Sequence, residues 1–454
     1  MAHNVAVSLL ALLIILMLAA CGGEGVPAKT TPTAFPGSTA ATSHSGDAEI
    51  LEMLNNVKTN GYNKNQAINN GLGGLWVNWR YGTHPLQTNM NGSGVPDNVD
   101  LNPPRHDPLT DIRYLRALWL YKSLHPKDTQ FDSQIARYTS IVKYEFAIPQ
   151  NERGWLYDLF INLYQLSNDG FYKQTAYSLA KYFYTQLYQP ASGAIYKTSA
   201  EHPHGFSRVD LELETGSALI QAGTVFHEPA WKSAGQRVVQ TVYTTAYLQH
   251  YHVFLSQIDN VLLPDGSLNP NPSIFRGKYG NTRIEGGSVR LGEVALEALS
   301  LLHVFIITHD QVFLDHALDI LTPLTIDQNL LGLWDTRQQG YFEAATFRGP
   351  DFQHPGTPEI NRKRKESGRQ IQMLEAFRVA NSLTHDRYQS MQDALLAVTT
   401  QKAYYATGYG FLYEETADWQ PVRAKNGQLE DWVTSEAIGI ALESLFSLSE
   451  THPW

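Results

Sequence analysis

Cysteine is nearly absent from this chain: one in 454 residues, at position 21. A single thiol makes no internal disulfide and no thiolate zinc site. With that thiol so near the start, a cysteine nucleophile is excluded as well. Net positive charge is also missing. The formal charge is −10, which argues against a nucleic-acid partner, because such proteins meet phosphates with basic surfaces. Charged residues make up 17% of the chain, against a usual ~25%. No phosphate-binding Gly loop, zinc-protease motif or EF-hand loop occurs, so no metal and no cofactor are expected. The gap is filled by 24 Tyr and 9 Trp, with Asn, Gln and Thr. Aromatic rings stack on sugar faces and amides pair with hydroxyls, so the composition suits carbohydrate.

Lys, Arg, Asp and Glu are all lacking from Met1 to Cys21. Val5–Leu18 is almost wholly apolar, the length of a signal-peptide core and short for a spanning helix. Leu18-Ala19-Ala20-Cys21-Gly22 follows and resembles the bacterial lipobox, although no Lys or Arg precedes the apolar run. The resemblance implies export, lipidation of Cys21 and a membrane partner on the extracellular side. Residues 22–46 are rich in Gly, Pro, Ser, Thr and Ala and read as a flexible tether, reaching about 27 Å. Residues 47–454 read as one domain.

Within that domain one turn type recurs: Ser167-Asn168-Asp169-Gly170-Phe171, Phe226-His227-Glu228-Pro229-Ala230-Trp231, Thr308-His309-Asp310-Gln311-Val312-Phe313 and Thr384-His385-Asp386-Arg387-Tyr388, with His125-Pro126-Lys127-Asp128 before them. An acid able to cap the next helix precedes an aromatic able to pack its first turn. The turns join helices expected at 108–124 and 131–146, 153–166 and 172–187, 210–225 and 230–250, 287–306 and 311–325, and 366–382 and 388–404. Helices at 47–59 and 430–448 form the sixth pair. Ala295-Leu296-Glu297-Ala298-Leu299 is echoed by Met373-Leu374-Glu375-Ala376-Phe377 and Ala441-Leu442-Glu443-Ser444-Leu445, and these glutamates read as packing positions. Between pairs the connections 60–107, 188–209, 251–286, 326–365 and 405–429 are long, which is usual for functional loops. In a ring of hairpins all of them emerge on one face, where the first-member helices begin.

This all-α pattern of six helical hairpins and twelve helices resembles the six-hairpin glycosidase superfamily. The resemblance rests on the hairpin count, the turns, the Leu-Glu-Ala helices and Gly-aromatic segments such as Gly332-Leu333-Trp334-Asp335 and Gly340-Tyr341-Phe342. It implies an (α/α)6 barrel acting on carbohydrate. The superfamily holds glycoside hydrolases, sugar epimerases and, with related toroids, polysaccharide lyases, and the fold does not choose among them. A glycan-binding protein without catalysis is the reading from another class.

Hydrolysis of a glycosidic bond needs two carboxyls in unlike environments, about 6.5–9.5 Å apart for an inverting enzyme. At the starts of the first-member helices stand Asp107, Asp111, Asp158, Asp210, Glu212, Glu214, Glu285, Glu366, Glu430, Asp431 and Glu436. Acids in a first helical turn are favoured by the dipole alone, and Asp107 before Pro108 reads as a cap. Asp111 shares an apolar face, Glu214 and Glu436 sit beside small residues, and Glu285 lies at a loop-to-helix junction. Asp111, Glu214, Glu285 and Glu436, with Asp158 after them, are therefore the catalytic candidates, acid and base unassigned. The histidines of the short turns lie on the opposite face, whereas the resemblance implies inner-helix histidines for an epimerase. A lyase could draw on Tyr279, His106, Arg283 and Asn281. Trp76, Trp79, Tyr81, Trp155, Tyr279, Trp334, Tyr341 and Trp432 lie on the long-loop side and, with Arg283, are candidates for sugar binding. Arg362-Lys363-Arg364-Lys365 is expected at the rim, as a solvated run or an anion contact.

Overall fold

The computed structural model describes residues 47–449, apart from 65, 80–88, 91–95, 98–106, 276, 280–281, 285–286, 350, 353, 424–428 and 430. Cys21, Tyr81, His106, Asn281 and Glu285 lie outside the described residues, as do the side chains of Tyr279 and Arg283.

Among the described residues there are twelve α-helices: α1 (Asp47–Asn56), α2 (Pro108–Leu124), α3 (Asp132–Glu145), α4 (Trp155–Ser167), α5 (Gly170–Tyr182), α6 (Val209–Val225), α7 (Pro229–Thr245), α8 (Leu291–Thr308), α9 (Gln311–Leu321), α10 (Ser367–Leu383), α11 (Gln389–Val398) and α12 (Ser435–Ser449). The even-numbered helices pack on one another in sequence, and α12 returns to α2, closing an inner ring. The odd-numbered helices pair outside them, α1 against α12. This is an (α/α)6 barrel. Inner helices are buried along most of their length. In α6, Asp210, Glu212, Leu213, Glu214, Thr215, Gly216, Ser217, Ala218 and Leu219 are all buried, so no outward polar stripe marks them.

The recurrent turns have a common cause. Asn168, His227, His309 and His385 all have positive φ, between 50° and 60°. Each ends its helix in the left-handed region, where Asn and His are tolerated better than bulkier residues. Asp169 and Asp310 then cap the next helix, accepting from Phe171 N–H at 3.0 Å and Val312 N–H at 3.2 Å. The other two acids differ. Glu228 makes no side-chain cap, and Asp386 itself has φ 65°.

The long connections are not bare loops. They carry strands of two to four residues that pair between neighbouring connections: 206–208 with 257–259, 287–290 with 344–347, 364–365 with 415–416, and 433–434 with 78–79. The last pairing links the first and last connections. This stitched collar surrounds the end of the barrel at which the inner helices start. The basic run 362–365 belongs to the collar rather than to a free rim. Lys365 is fully buried, donating to Asp335 Oδ2 at 2.9 Å and to the carbonyls of Gln339 at 2.6 Å and Ala417 at 2.9 Å. Arg364 pairs with Glu414, and Arg362 lies over the Phe342 ring.

Candidate functional site

The collar delivers short strands directly into the inner helices. Arg208, Arg290 and Glu366 are the N-cap residues of α6, α8 and α10, all extended and none capping its helix with its side chain. These side chains instead line a cavity of about 330 Å³ at the inner-helix starts. Asp210, Glu293 and Glu436, in the first turns of α6, α8 and α12, line it too. Free N–H groups at those helix starts favour acids there.

Arginines and carboxylates alternate around the cavity. Arg153 reaches Asp210 Oδ2 at 3.1 Å, and Arg208 also pairs with Asp210. Arg208 lies 3.6 Å from Glu293 Oε1. Arg290 lies 3.9 Å from Glu293 and 3.1 Å from Glu343. Arg369 donates to Glu366 Oε2 at 3.0 Å and to Gln372 Oε1 at 3.0 Å, and approaches Glu436 Oε1 at 3.4 Å. Gly292 makes room for this last arginine, since a Cβ there would stand 2.3 Å from Arg369 Cδ. On the remaining side Arg113 stacks 4.1 Å over the Trp155 ring and pairs with Glu443. A belt of alternating forked donors and carboxylate acceptors suits sugar hydroxyls, which both donate and accept.

The acids differ in environment. Burial pushes the Glu366 carboxyl up to about 7, against the pull of Arg369. Burial, reinforced by Asp210, also raises Glu293. Asp210 is fully buried and held by two guanidinium groups. The Glu436 side chain keeps 45% of its surface exposed and has one long ionic contact. One helical turn below Asp210 and Glu293 lie Glu214 and Glu297, both buried. Glu214 is weakly partnered: the Trp155 backbone N–H faces it and Arg153 stands 4.0 Å away. Burial pushes Glu214 up to about 8 and Glu297 well above the carboxylate range.

These raised values imply a pH-dependent stability. A buried acid that binds its proton more tightly when folded stabilises the fold fully below its ordinary value of 4.5. That contribution disappears as pH climbs through the folded value of about 8 for Glu214. The melting temperature is expected to fall between about pH 5 and pH 8. Glu214→Gln should flatten that slope without abolishing it, because Glu212 and Glu366, both pushed up to about 7, act in the same direction. Thermal melts of both proteins across this range check it.

Only part of the expected site assembles here. Glu436 and Trp155 line the cavity, and Glu214 lies in the layer beneath it. Asp111 does not reach the cavity: it is fully buried and accepts the Leu75 N–H at 2.8 Å, holding a collar strand. Asp158 points elsewhere and pairs with His303 at 3.1 Å. Trp79 is wholly buried and donates to Asn56. Tyr341 is wholly buried, with its hydroxyl on the Leu324 carbonyl and its ring edge-on to Trp334. Trp76 and Trp432 are likewise buried. These five aromatics pack the collar instead of offering stacking surfaces. Glu443 of the repeated Leu-Glu-Ala segments is a packing residue in the barrel interior, bound by Arg113 and Arg116.

The arginines were not anticipated, yet a signal exists: an arginine two or three residues before a first-turn acid, in Arg208-Val209-Asp210 and Arg290-Leu291-Gly292-Glu293. Glu293 was missed because its helix was expected from 287, whereas 287–290 is a strand and α8 starts at Leu291.

No family model matches this chain, and no curated protein is similar to it in sequence. Solved structures are similar in fold. An unsaturated glucuronyl hydrolase specific for heparin superposes with TM-score 0.58 at 15% identity, covering 88% of this chain and 95% of that one. A family 76 glycoside hydrolase (mannosidase) from Bacteroides thetaiotaomicron gives 0.56 at 11%, covering 89% and 98%. A cellobiose 2-epimerase from Bacillus thermoamylovorans gives 0.54 at 9%, covering 88% and 99%. The six-hairpin barrel is the common ground. At these identities the likeness is one of fold, and activity must be argued from the site.

Proposed function

We propose that the barrel hydrolyses a glycosidic bond in an extracellular carbohydrate, with Glu366 as general acid and Glu436 as general base. The observation that carries this reading is the contrast between two carboxyls contacted by one guanidinium: Glu366, buried and raised to about 7, and Glu436, half exposed. Protonated Glu366 gives its proton to the leaving oxygen as the bond to the anomeric carbon breaks. Glu436 takes a proton from a water that attacks that carbon from the opposite face. Arg369 contacts the two carboxyls through different nitrogens, Nε to Glu366 and Nη1 to Glu436, and the inverting mechanism proposed here requires the carboxyls to stand about 6.5–9.5 Å apart when substrate and water are bound. Asp210, paired with two arginines, serves as a fixed hydroxyl acceptor. Trp155, pinned under Arg113, offers a ring face to the sugar. Among the described residues lining the cavity there is no histidine, which supports hydrolysis over epimerisation. Proton NMR of the first-formed product is the test: an inverted anomer is expected, and a retained one would sink the Glu366/Glu436 assignment.

The same proposal places the domain outside the cell, tethered through lipidated Cys21 and the 22–46 linker. In a bacterial host, the full-length protein is expected in the membrane fraction. Cys21→Ser should prevent lipid attachment, read by metabolic labelling with a fatty acid. Equal labelling of the two proteins would refute the anchor.

A further inference from the structure

The 405–429 connection passes between the starts of α10 and α12. Leu412 bridges Val433, shortly before Glu436, and Glu415 and Thr416 pair with Lys365 and Arg364, immediately before Glu366. The segment is fastened from the α10 side as well: Arg364 pairs with Glu414, and the Ser367 hydroxyl donates to Glu415. Between the bridge and the ladder the chain bends at Tyr413. The collar thus carries one tyrosine to the gap between the two helix starts that hold Glu366 and Glu436.

The Tyr413 hydroxyl stands in the field of four charged cavity residues: Glu366 most strongly, then Arg369, Glu436 and Glu343. Tyr413 is not itself among the residues lining the cavity, so it stands behind Glu366 rather than against a substrate. Glu366, aided by burial, pushes the phenol up, so the hydroxyl keeps its proton and remains a donor. The ring does not join the aromatics packed into the collar core, as Trp334 and Tyr341 do. No hydrogen bond ties its hydroxyl to any described residue.

Glu366 is faced by Arg369 of α10, Arg290 at the α8 cap, Glu343 of the 326–365 connection, Glu436 of α12 and Glu415 of the 405–429 connection. Among the described residues Arg369 alone donates to its side chain, at 3.0 Å. Once Glu366 has lost its proton it is a buried carboxylate with acceptor sites left open. A neutral hydroxyl beside it can turn its proton toward that charge, which favours the ionised form.

We infer that Tyr413 is a positioning residue for Glu366: its hydroxyl donates a hydrogen bond to that carboxyl whenever the carboxyl is ionised. No proton changes hands at Tyr413. Glu366 passes its own proton to the leaving oxygen, and the phenol steadies the carboxylate that remains. The use of the pair in catalysis rests on the hydrolase reading; the pairing does not.

Tyr413→3-nitrotyrosine in the full-length protein tests the pairing without activity, because this phenol titrates where the protein is folded and absorbs in the visible. It should titrate above free 3-nitrotyrosine, and Glu366→Gln should bring it down by about half a unit or more. Circular dichroism confirms the fold. Where the nitro group prevents folding, Tyr413→3-fluorotyrosine read by fluorine NMR takes its place. Titration like that of the free amino acid, unmoved by Glu366→Gln, overturns the proposal. Tyr413→Phe tests the role. Loss of a donor to the charged form makes Glu366 hold its proton more tightly. The high-pH fall in activity should therefore move up by about one unit, the scale of a hydrogen bond to a charged group. On unactivated glycosides kcat should drop about tenfold, and on 4-nitrophenyl glycosides it should stay within about twofold. A merely structural tyrosine would lower both alike and leave the pH limb in place, and that result overturns the proposal. Absence of glycoside cleavage, with the nitrated phenol still answering to Glu366→Gln, would sink the hydrolase reading and uphold the pairing.

Discussion

Glu366→Gln is expected to lower kcat by about 10²–10⁴-fold on unactivated glycosides, the usual contribution of a general acid, while the protein melts at or above the wild-type temperature. Glutamine keeps the shape of the side chain and cannot supply a proton. It also removes the desolvation cost of a carboxyl whose affinity for its proton burial raises to about 7. In the wild type, activity should fall as pH rises past that value, because Glu366 loses the proton it must donate. The variant should lack this limb. Its defect should shrink on 4-nitrophenyl glycosides, whose leaving group departs without protonation. Glu436→Gln should be impaired on both kinds of substrate, since water must be activated in either case. Equal damage by Glu366→Gln on good and poor leaving groups would show that Glu366 is not the acid.

Lys365→Ala is expected to destabilise the domain by about 3–5 kcal/mol, the scale seen when one partner of a buried ion pair is removed. The ammonium has three partners, Asp335 Oδ2 and the carbonyls of Gln339 and Ala417, and the last binds the 405–429 connection to the 326–365 connection. It also lies 4.7 Å over the Trp419 ring and 5.4 Å over the Phe342 ring. Removing it strands the buried Asp335 carboxylate, although that side chain still accepts from the Arg337 and Gln338 N–H groups. Lys365→Met restores most of the lost packing but not the charge, so it should recover only part of the stability. Adding Asp335→Asn to Lys365→Met should recover more, because no unpaired charge then remains. Urea melts of the three variants measure this, and a loss under about 1 kcal/mol for Lys365→Ala would contradict the assigned role.

The barrel was legible in the sequence because helix ends are written locally. The left-handed residue closing each of four inner helices is Asn or His, which take that conformation more readily than most side chains, and the two caps Asp169 and Asp310 stand where the turn repeat put them. Helix starts were read to within two residues except at two places where a strand runs straight into a helix, 287–290 before α8 and 433–434 before α12. Such strands are too short to show a period of two. That error had a consequence at the site, since it displaced Glu293 from a first turn and led to Glu285 instead. The candidate acids were sorted by their neighbours in sequence, but what distinguishes them is partners from other hairpins. Asp111 is taken up by the Leu75 amide and Asp158 by His303, whereas Glu436 meets Arg369 of the neighbouring hairpin at the cavity, and Glu366 meets the same arginine three residues on in its own helix. No local pattern encodes the meetings between hairpins. The aromatics failed for a related reason. A collar made of two-residue strands has little ladder to hold it, and Trp79, Trp334 and Tyr341 supply its core.

The most direct measurement is a screen of the soluble domain, residues 47–454, over neutral and uronic polysaccharides and 4-nitrophenyl glycosides, following reducing ends and the ultraviolet absorbance of unsaturated sugars together. Release of reducing ends without that absorbance, lost in Glu366→Gln and in Glu436→Gln, is the predicted result. Absorbance rising in step with reducing ends would mean elimination rather than hydrolysis, and hydrolysis undiminished in both variants would place the chemistry elsewhere; either would contradict the account.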